Sequence, residues 1–422
     1  MITLVIVYQF ATSQVSENTH QDTLVINLKQ AEDSFLAKNL SLLAQHYSID
    51  SARATVITAR LYDNPEFSYA TNFFQPESKK FFDLSDKNRE TAIQISQLIK
   101  TAGKRNKAIG LALSGIDITQ NQFYDLLRNL RFTLRNDFYN IYYLERSEKL
   151  YQLEINSLKS IVPAYEQEER KGFISLKDVL RIKAQLYTLQ AEYNDLQTNI
   201  DNVQAELKLL IRVNSPTYIV PQIDSLSNNN SFIEKVSFQS LVDTALTSRP
   251  DLRALQATIG FNRNNLILQK ALAKPDINVN LNYDRQGSYV KYFNAIGFGI
   301  PIPIFNRNQG NIKNAQIQIN AAQIQYDAGV ERVKSELTSS YITALRADKL
   351  LGSFDPEFDK QLEKLTGEVF KNFKKRNITM LEFLDSYESY KQNVLQLNKL
   401  RFNKMSALEQ LNFSTGTIIF NK

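Results

Sequence analysis

The side chains that most often carry out covalent or metal chemistry are scarce in this sequence. Cysteine is absent, and the only histidines are His20 and His46. Without cysteine there is no disulfide framework, no thiolate metal site, no thiol nucleophile and no cysteine to carry a lipid. A Ser-His-Asp relay or an imidazole-based metal site would have to centre on one of the two histidines, and neither stands in a recognisable motif. Carboxylates are what remain. Glu382 and Asp385 stand at i and i+3, so they share one face of a helix. The expectation is a protein that is not an enzyme, with no catalytic residues, no cofactor and no resident metal.

The elements that position such residues are long. In 422 residues there are only 13 glycines and 10 prolines, which favours extended uninterrupted helices over many short strands and turns. The charge balance, 50 Lys+Arg against 44 Asp+Glu, leaves +6 spread along the chain. No basic cluster interleaved with aromatics accompanies it, so no nucleic-acid partner is expected. Ile2 to Phe10 is a short apolar run followed by Ala11-Thr12-Ser13. Residues 1–14 therefore read as an export signal, truncated or atypical because no basic residue precedes the run, with an ordinary buried strand as the competing reading. Nowhere else is there an apolar stretch long enough for a transmembrane helix.

The chain also repeats itself, at a spacing of roughly 205–210 residues. Asn64-Pro65-Glu66-Phe67-Ser68-Tyr69 parallels Lys274-Pro275-Asp276-Ile277-Asn278-Val279. Ser34 to Asn39 parallels Thr244 to Arg249, and Ile174 to Leu180 parallels Ile378 to Leu384. Two repeats are expected, at 15–212 and 236–422, joined by a surface connection at 213–235. Each would run helix, two strands, very long helix, tight turn, long helix. Helical patterning covers roughly 30–62, 104–168 and 176–212. The middle stretch would be about 100 Å long, with Pro163 expected to kink or interrupt it. Leu189, Tyr193, Leu196, Ile200, Val203, Leu207 and Leu210 alternate steps of four and three, a heptad seam for side-by-side helices.

The strands, expected at about 65–74, 91–100, 276–285 and 292–304, alternate strictly. Ile277, Val279, Leu281 and Tyr283 face one way and Asn278, Asn280, Asn282 and Asp284 the other; Phe67 and Tyr69 repeat the pattern in the first half. Apolar residues toward lipid and asparagines toward a watery lumen fit an outer-membrane barrel, whose strands run to about 9–11 residues. A soluble sheet with one face on a core is the competing reading. Four strands cannot close a membrane barrel, and open edges cannot face lipid. If the sheet enters a membrane, several copies must pool their strands.

Gly299-Ile300-Pro301-Ile302-Pro303-Ile304-Phe305-Asn306-Arg307-Asn308-Gln309-Gly310-Asn311-Ile312 resembles the strand-to-helix junction of the TolC family of outer-membrane efflux proteins. Within the family it is similar to the branch serving cobalt-zinc-cadmium and copper-silver pumps. Gln97 to Arg105 resembles the equivalent junction of the first half. The resemblance implies a mainly helical fold with a small β part. It implies a homotrimer in which each subunit gives four strands to a twelve-stranded barrel, continued by a helical tunnel in the periplasm. It also implies a periplasmic adaptor and a proton-driven inner-membrane pump as partners, with heavy-metal cations as cargo.

The family's functional residues fall on the two helix-to-helix turns. In relatives, acids near the second turn ring the closed entrance; by position Glu382 and Asp385 inherit that role, with Asp178 as first-half counterpart. Threefold symmetry would stack them as carboxylate rings, a cation-selective constriction; as helix-start acids they would instead complement the helix dipole. The resemblance makes Gly172, Phe173, Ile174, Ser175, Asn377, Ile378 and Thr379 the adaptor contacts; the competing reading is that Phe173, Ile174 and Ile378 pack between hairpins. Relatives carry glycine where Asn377 stands, and asparagine also tolerates left-handed backbone. The competing functional class is a structural coiled-coil or adhesin-type envelope protein, with the helices as scaffold and the strands as a cap.

Overall fold

A computed structural model of the chain describes residues 22–83, 85, 89–214, 216–223, 233–286, 290–355 and 357–420. The expected export signal and His20 lie outside them. The elements run β1 (Thr23–Asn27), α1 (Leu28–Lys38), α2 (Leu40–Arg60), β2 (Glu66–Thr71), β3 (Phe74–Gln75), β4 (Lys80–Phe81), β5 (Thr91–Ile99), α3 (Lys104–Arg170), α4 (Leu176–Ile211) and β6 (Tyr218–Gln222). They continue with α5 (Phe238–Ser248), α6 (Pro250–Leu272), β7 (Ile277–Asp284), β8 (Phe293–Gly299), α7 (Gln309–Gly352), α8 (Phe358–Lys374) and α9 (Met380–Thr415).

Several boundaries differ from the sequence pattern, each for a local reason. The helical stretch over 30–62 is two helices broken at Asn39, which holds an extended conformation (φ −64°, ψ 122°). Arg249 breaks α5 from α6 in the same conformation (φ −66°, ψ 122°), at the position the sequence pairs with Asn39. Pro163 does not interrupt α3, which runs on to Arg170. Its neighbours Ile161, Val162 and Tyr165 pack into the core and hold the helix through it. The second very long helix is instead two, α7 and α8. Gly352-Ser353 ends the first, and Asp355 precedes a proline, which disfavours helical backbone there. β8 stops at Gly299, short of 304, because Pro301 and Pro303 have no N–H to give a ladder. The connection at 213–235 contains a strand: β6 pairs in parallel with β1 over Thr23↔Tyr218 to Asn27↔Gln222.

The chain divides into two compact units. One comprises residues up to 39, 133–230 and 351–406. Its core is the seam of α3 against α4, α8 and α9: Tyr151, Ile155, Leu158, Ile161, Ile182, Leu186, Leu189, Phe373, Phe383 and Tyr387. Buried Gln204 of α4 ties the β1–β6 ribbon down by bonding both the N–H and the carbonyl of Ile219 (3.1 and 2.6 Å).

The other unit comprises 40–132, 231–350 and the residues from 407 onward. Here α5, α6 and α7 bury Leu241, Val242, Ala245, Leu252, Val333, Leu337 and Ala344, closed by Leu408 and Leu411 of the last turns of α9. Arg249, 2% exposed, binds Asp251 (2.6 Å), Glu336 (2.8 Å) and the carbonyl of Ser414 (3.2 Å). The same unit carries a four-stranded antiparallel sheet in the order β2-β5-β7-β8. Its base is pinned by the buried Lys104, which reaches Asp276 (2.6 Å) and the carbonyl of Lys274 (2.7 Å).

Candidate functional site at the hairpin tips

Two helix-to-helix turns lie in the first unit, and both are built the same way. α3 ends with Gly172 in the left-handed region (φ +79°), its N–H bonded to Glu169 O and that of Phe173 to Glu168 O. Only a residue without Cβ adopts this backbone freely. Ser175 then caps α4: its hydroxyl accepts from the N–H of Asp178 (3.2 Å) and donates to the Asp178 carboxylate (2.6 Å). At the second turn Thr379 accepts from the N–H of Glu382 (3.2 Å). Glu382 in turn accepts from both the N–H and the hydroxyl of Thr379 (2.8 and 2.9 Å), a complete capping box.

These bonds decide where the acids are. The backbone N–H of Thr379, then its hydroxyl, hold the Glu382 carboxyl below the usual carboxylate range, so it is ionised. Glu382 and Asp385 are both solvent-exposed, while Asp178 is half-buried. The second turn corrects the expectation at Asn377. The left-handed residue is Arg376 (φ +63°), whose N–H reaches Phe373 O, while Asn377 donates to Asn372 O. Arg376, not Asn377, thus stands where the first turn has Gly172. Phe173 is 72% exposed, whereas Ile378 is half-buried and packs on the core behind the turns, and Ile174 is also half-buried.

Behind the tips the chain holds two features that no motif announces. Tyr165, Phe373, Phe383 and Tyr387 form a continuous stack, with successive centroids 5.6, 4.0 and 5.1 Å apart. Further along, Lys391, 1% exposed, bridges Glu192 of α4 (2.8 Å) and Glu388 of α9 (3.0 Å). Tyr151 also donates to Glu192 (3.2 Å), and Gln185 to Glu388 (3.2 Å). Glu154 of α3 is 2% exposed, and neither carboxyl oxygen has a hydrogen-bond partner among the described residues. Burial, opposed by Lys391 and reinforced by Glu388 and Glu192, pushes its pKa up to about 8. Three carboxyls facing one ammonium is a pattern assembled from three helices, so sequence spacing could not show it.

The sheet is the second candidate surface. Phe67, Ile95, Leu281 and Ile296 stand in one cross-strand row, with Tyr69, Ile93 and Tyr283 in the next row on that side. Phe67 (66%), Tyr69, Leu281, Ile296 and Phe298 are exposed; Ile277, Val279 and Tyr283 are half-exposed. On the other face, Asn278 accepts from the Ser96 hydroxyl (2.9 Å) and Asn280 from the Gln94 amide (3.4 Å), while Gly297 and Gly299 lie against the asparagine side chains. Among the described residues β2 and β8 each have a strand neighbour on one side only.

Among the described residues no group of three or more His, Cys, Asp or Glu side chains is arranged to hold a metal ion. His46 lies exposed on α2 beside Asp50 (3.5 Å). No helix among them is long and apolar enough to cross a membrane.

Comparison with known proteins adds to this geometry. The family model described as "Outer membrane efflux protein" matches residues 32–211 and 241–354. The cobalt-zinc-cadmium resistance protein CzcC of Cupriavidus metallidurans is 23% identical over 305 residues, 71% of this chain and 68% of that protein. Among solved structures, VceC, an outer membrane protein of Vibrio cholerae, superimposes with a TM-score of 0.69 at 16% identity, covering 92% of this chain and 96% of its own. CusC, whose structures follow transmembrane channel formation, gives 0.69 at 15% identity over 96% of each chain. At such identities the two structures establish a shared fold.

Proposed function

The chain belongs to the outer membrane efflux protein family, a family of passive channels rather than enzymes, and we propose that it is the outer-membrane duct of a tripartite pump that expels heavy-metal cations. In this reading three copies combine. Each supplies β2, β5, β7 and β8 to a twelve-stranded barrel, and its two TolC-like repeats supply the helices of a tunnel in the periplasm. A periplasmic adaptor meets the hairpin tips, and an inner-membrane proton-driven pump provides the energy. The observation that carries the proposal is the open sheet. It exposes a row of large apolar side chains on one face and bonded asparagines on the other, and its edge strands have no second neighbour among the described residues. Backbone groups at such edges cannot be left unpaired in lipid, so neighbouring copies must supply the partners. The similarity to CzcC supports the cargo class.

Glu382 and Asp385 give the duct its charge selectivity in this reading. Both are exposed and share a helix face, so three copies would place six carboxylates around one opening. The test is the double variant Glu382→Gln, Asp385→Asn in planar bilayers. Glutamine keeps the acceptor that the capping box needs, so the turn survives while the charge goes. The expected outcome is a clear loss of cation over anion preference at unchanged unit conductance. Selectivity identical to wild type would remove the carboxylate ring, and a protein that forms no channel would remove the duct itself.

A further inference from the structure

The turn segments themselves carry no acid. Residues 170–177 hold Arg170, Lys171 and Lys177; residues 371–379 hold Lys371, Lys374, Lys375 and Arg376. All seven are solvent-exposed. Glu168 binds two of them, Arg376 (2.6 Å) and Lys171 (3.4 Å), and Lys374 lies over the ring of Phe370 (4.6 Å). Asp178 and Glu382, the nearest acids downstream of each turn, are occupied in the caps. Lys177, Lys371 and Lys375 form no ion pair among the described residues.

Folding explains part of this charge and not the rest. Arg170 and Lys371 close helices, where a cation complements the C-terminal dipole. Lys177 stands in the first turn of α4, where the dipole disfavours it. Arg376 adopts a left-handed backbone that glycine would take more easily, as Gly172 does in the other turn. Two basic side chains are therefore held at positions that local structure opposes. The same turns also expose large apolar side chains: Phe173 is 72% exposed, and Leu176 and Leu381 are each 59% exposed. An exposed aromatic on a segment that also carries exposed charges has the chemistry of a binding anchor.

We propose that the two tips form one basic docking surface per subunit, and that its partner is a protein segment rich in Asp and Glu with an apolar socket for Phe173. This rests on the reading of the tips as the partner-docking end and adds the chemistry of that partner. It also fits a cationic cargo. Lys177, Lys371 and Lys375, which form no ion pair among the described residues, would oppose a metal ion approaching the Glu382 and Asp385 carboxylates, and an acidic partner offsets them on docking.

The test uses the full chain in detergent, immobilised through its barrel end. The probes are two synthetic helical-hairpin peptides of one sequence, differing only in Glu or Lys around the turn. The Glu peptide is expected to bind at least tenfold more tightly than the Lys peptide, with affinity falling several-fold from 50 to 300 mM NaCl. The exposed-site variant K177E/K375E should cut the preference several-fold, and Phe173→Ser should weaken both peptides by tenfold or more. Equal affinity for the two peptides, or an unaltered preference in K177E/K375E, overturns the acidic-partner proposal and leaves docking at the tips standing. Binding of neither peptide, with or without salt, removes the docking reading as well. Preferential binding of phosphatidylglycerol vesicles over the Glu peptide would assign the basic surface to a membrane and also overturn the proposal.

Discussion

Replacing Glu154 with glutamine removes one buried titration from the helical unit while keeping the size and shape of the side chain. Glu154 is 2% exposed and its carboxyl oxygens have no hydrogen-bond partner among the described residues; burial is the main reason its pKa lies near 8 rather than the ordinary 4.5. The groups facing it are Lys391 and Glu388 from α9 and Glu192 from α4, with Tyr151 and Tyr387 alongside. A raised carboxyl pKa means that the folded state prefers the protonated acid. Its contribution is therefore fully present below about pH 4.5 and is lost as pH rises toward about 8. At about 1.4 kcal/mol per decade of proton affinity, this one group withdraws roughly 3–4 kcal/mol between pH 5 and pH 8. For a chain of this size that is on the order of 5 °C in melting temperature. The assay is helix loss by circular dichroism across that pH range for wild type and Glu154→Gln. Asp137, at about 8, and Glu145, at about 7, titrate with the same sign in both proteins. The difference curve therefore isolates Glu154. It should start near zero at pH 5 and rise in favour of the variant. Parallel curves would mean that the carboxyl is not buried among these charges, and the cluster would be wrong.

Two further outcomes follow from the same geometry. Lys391→Met leaves Glu192 and Glu388, 35% and 42% exposed, without their shared cation, and losing these part-buried charged contacts should destabilise the helical unit by about 1–3 kcal/mol, read as an early melting phase. Leu281→Arg puts a charge in the centre of the exposed apolar row; a site near the bilayer midplane should lose about 2–4 kcal/mol, seen as failed outer-membrane assembly, whereas a soluble sheet would tolerate it.

Much of the fold was legible because its patterns are periodic. The heptad seam became a buried stripe on α4, with Leu189, Ile200 and Leu207 fully enclosed, and the alternation from Ile277 to Tyr283 became β7. Ends were less legible where one residue overrode the pattern, as Asn39 does in the first helical stretch and Pro301 beyond β8. The parallel pairing of β1 with β6 escaped notice because Pro221 disguises a short strand and its partner lies almost two hundred residues away. At the tips the capping residues Ser175 and Thr379 could be read from spacing. The left-handed position could not, because asparagine is the residue type that most readily suggests it, while the carbonyl pattern assigns it to Arg376. The Glu154–Lys391 cluster was beyond reach, since its charges come from three helices and meet only after packing.

The most direct measurement on the duct is the mass of the detergent-extracted protein by native mass spectrometry. With a chain of 48.5 kDa, pooled strands require a particle of three chains that resists detergent and falls apart only on boiling. A single chain that stays in solution without detergent would contradict the pore.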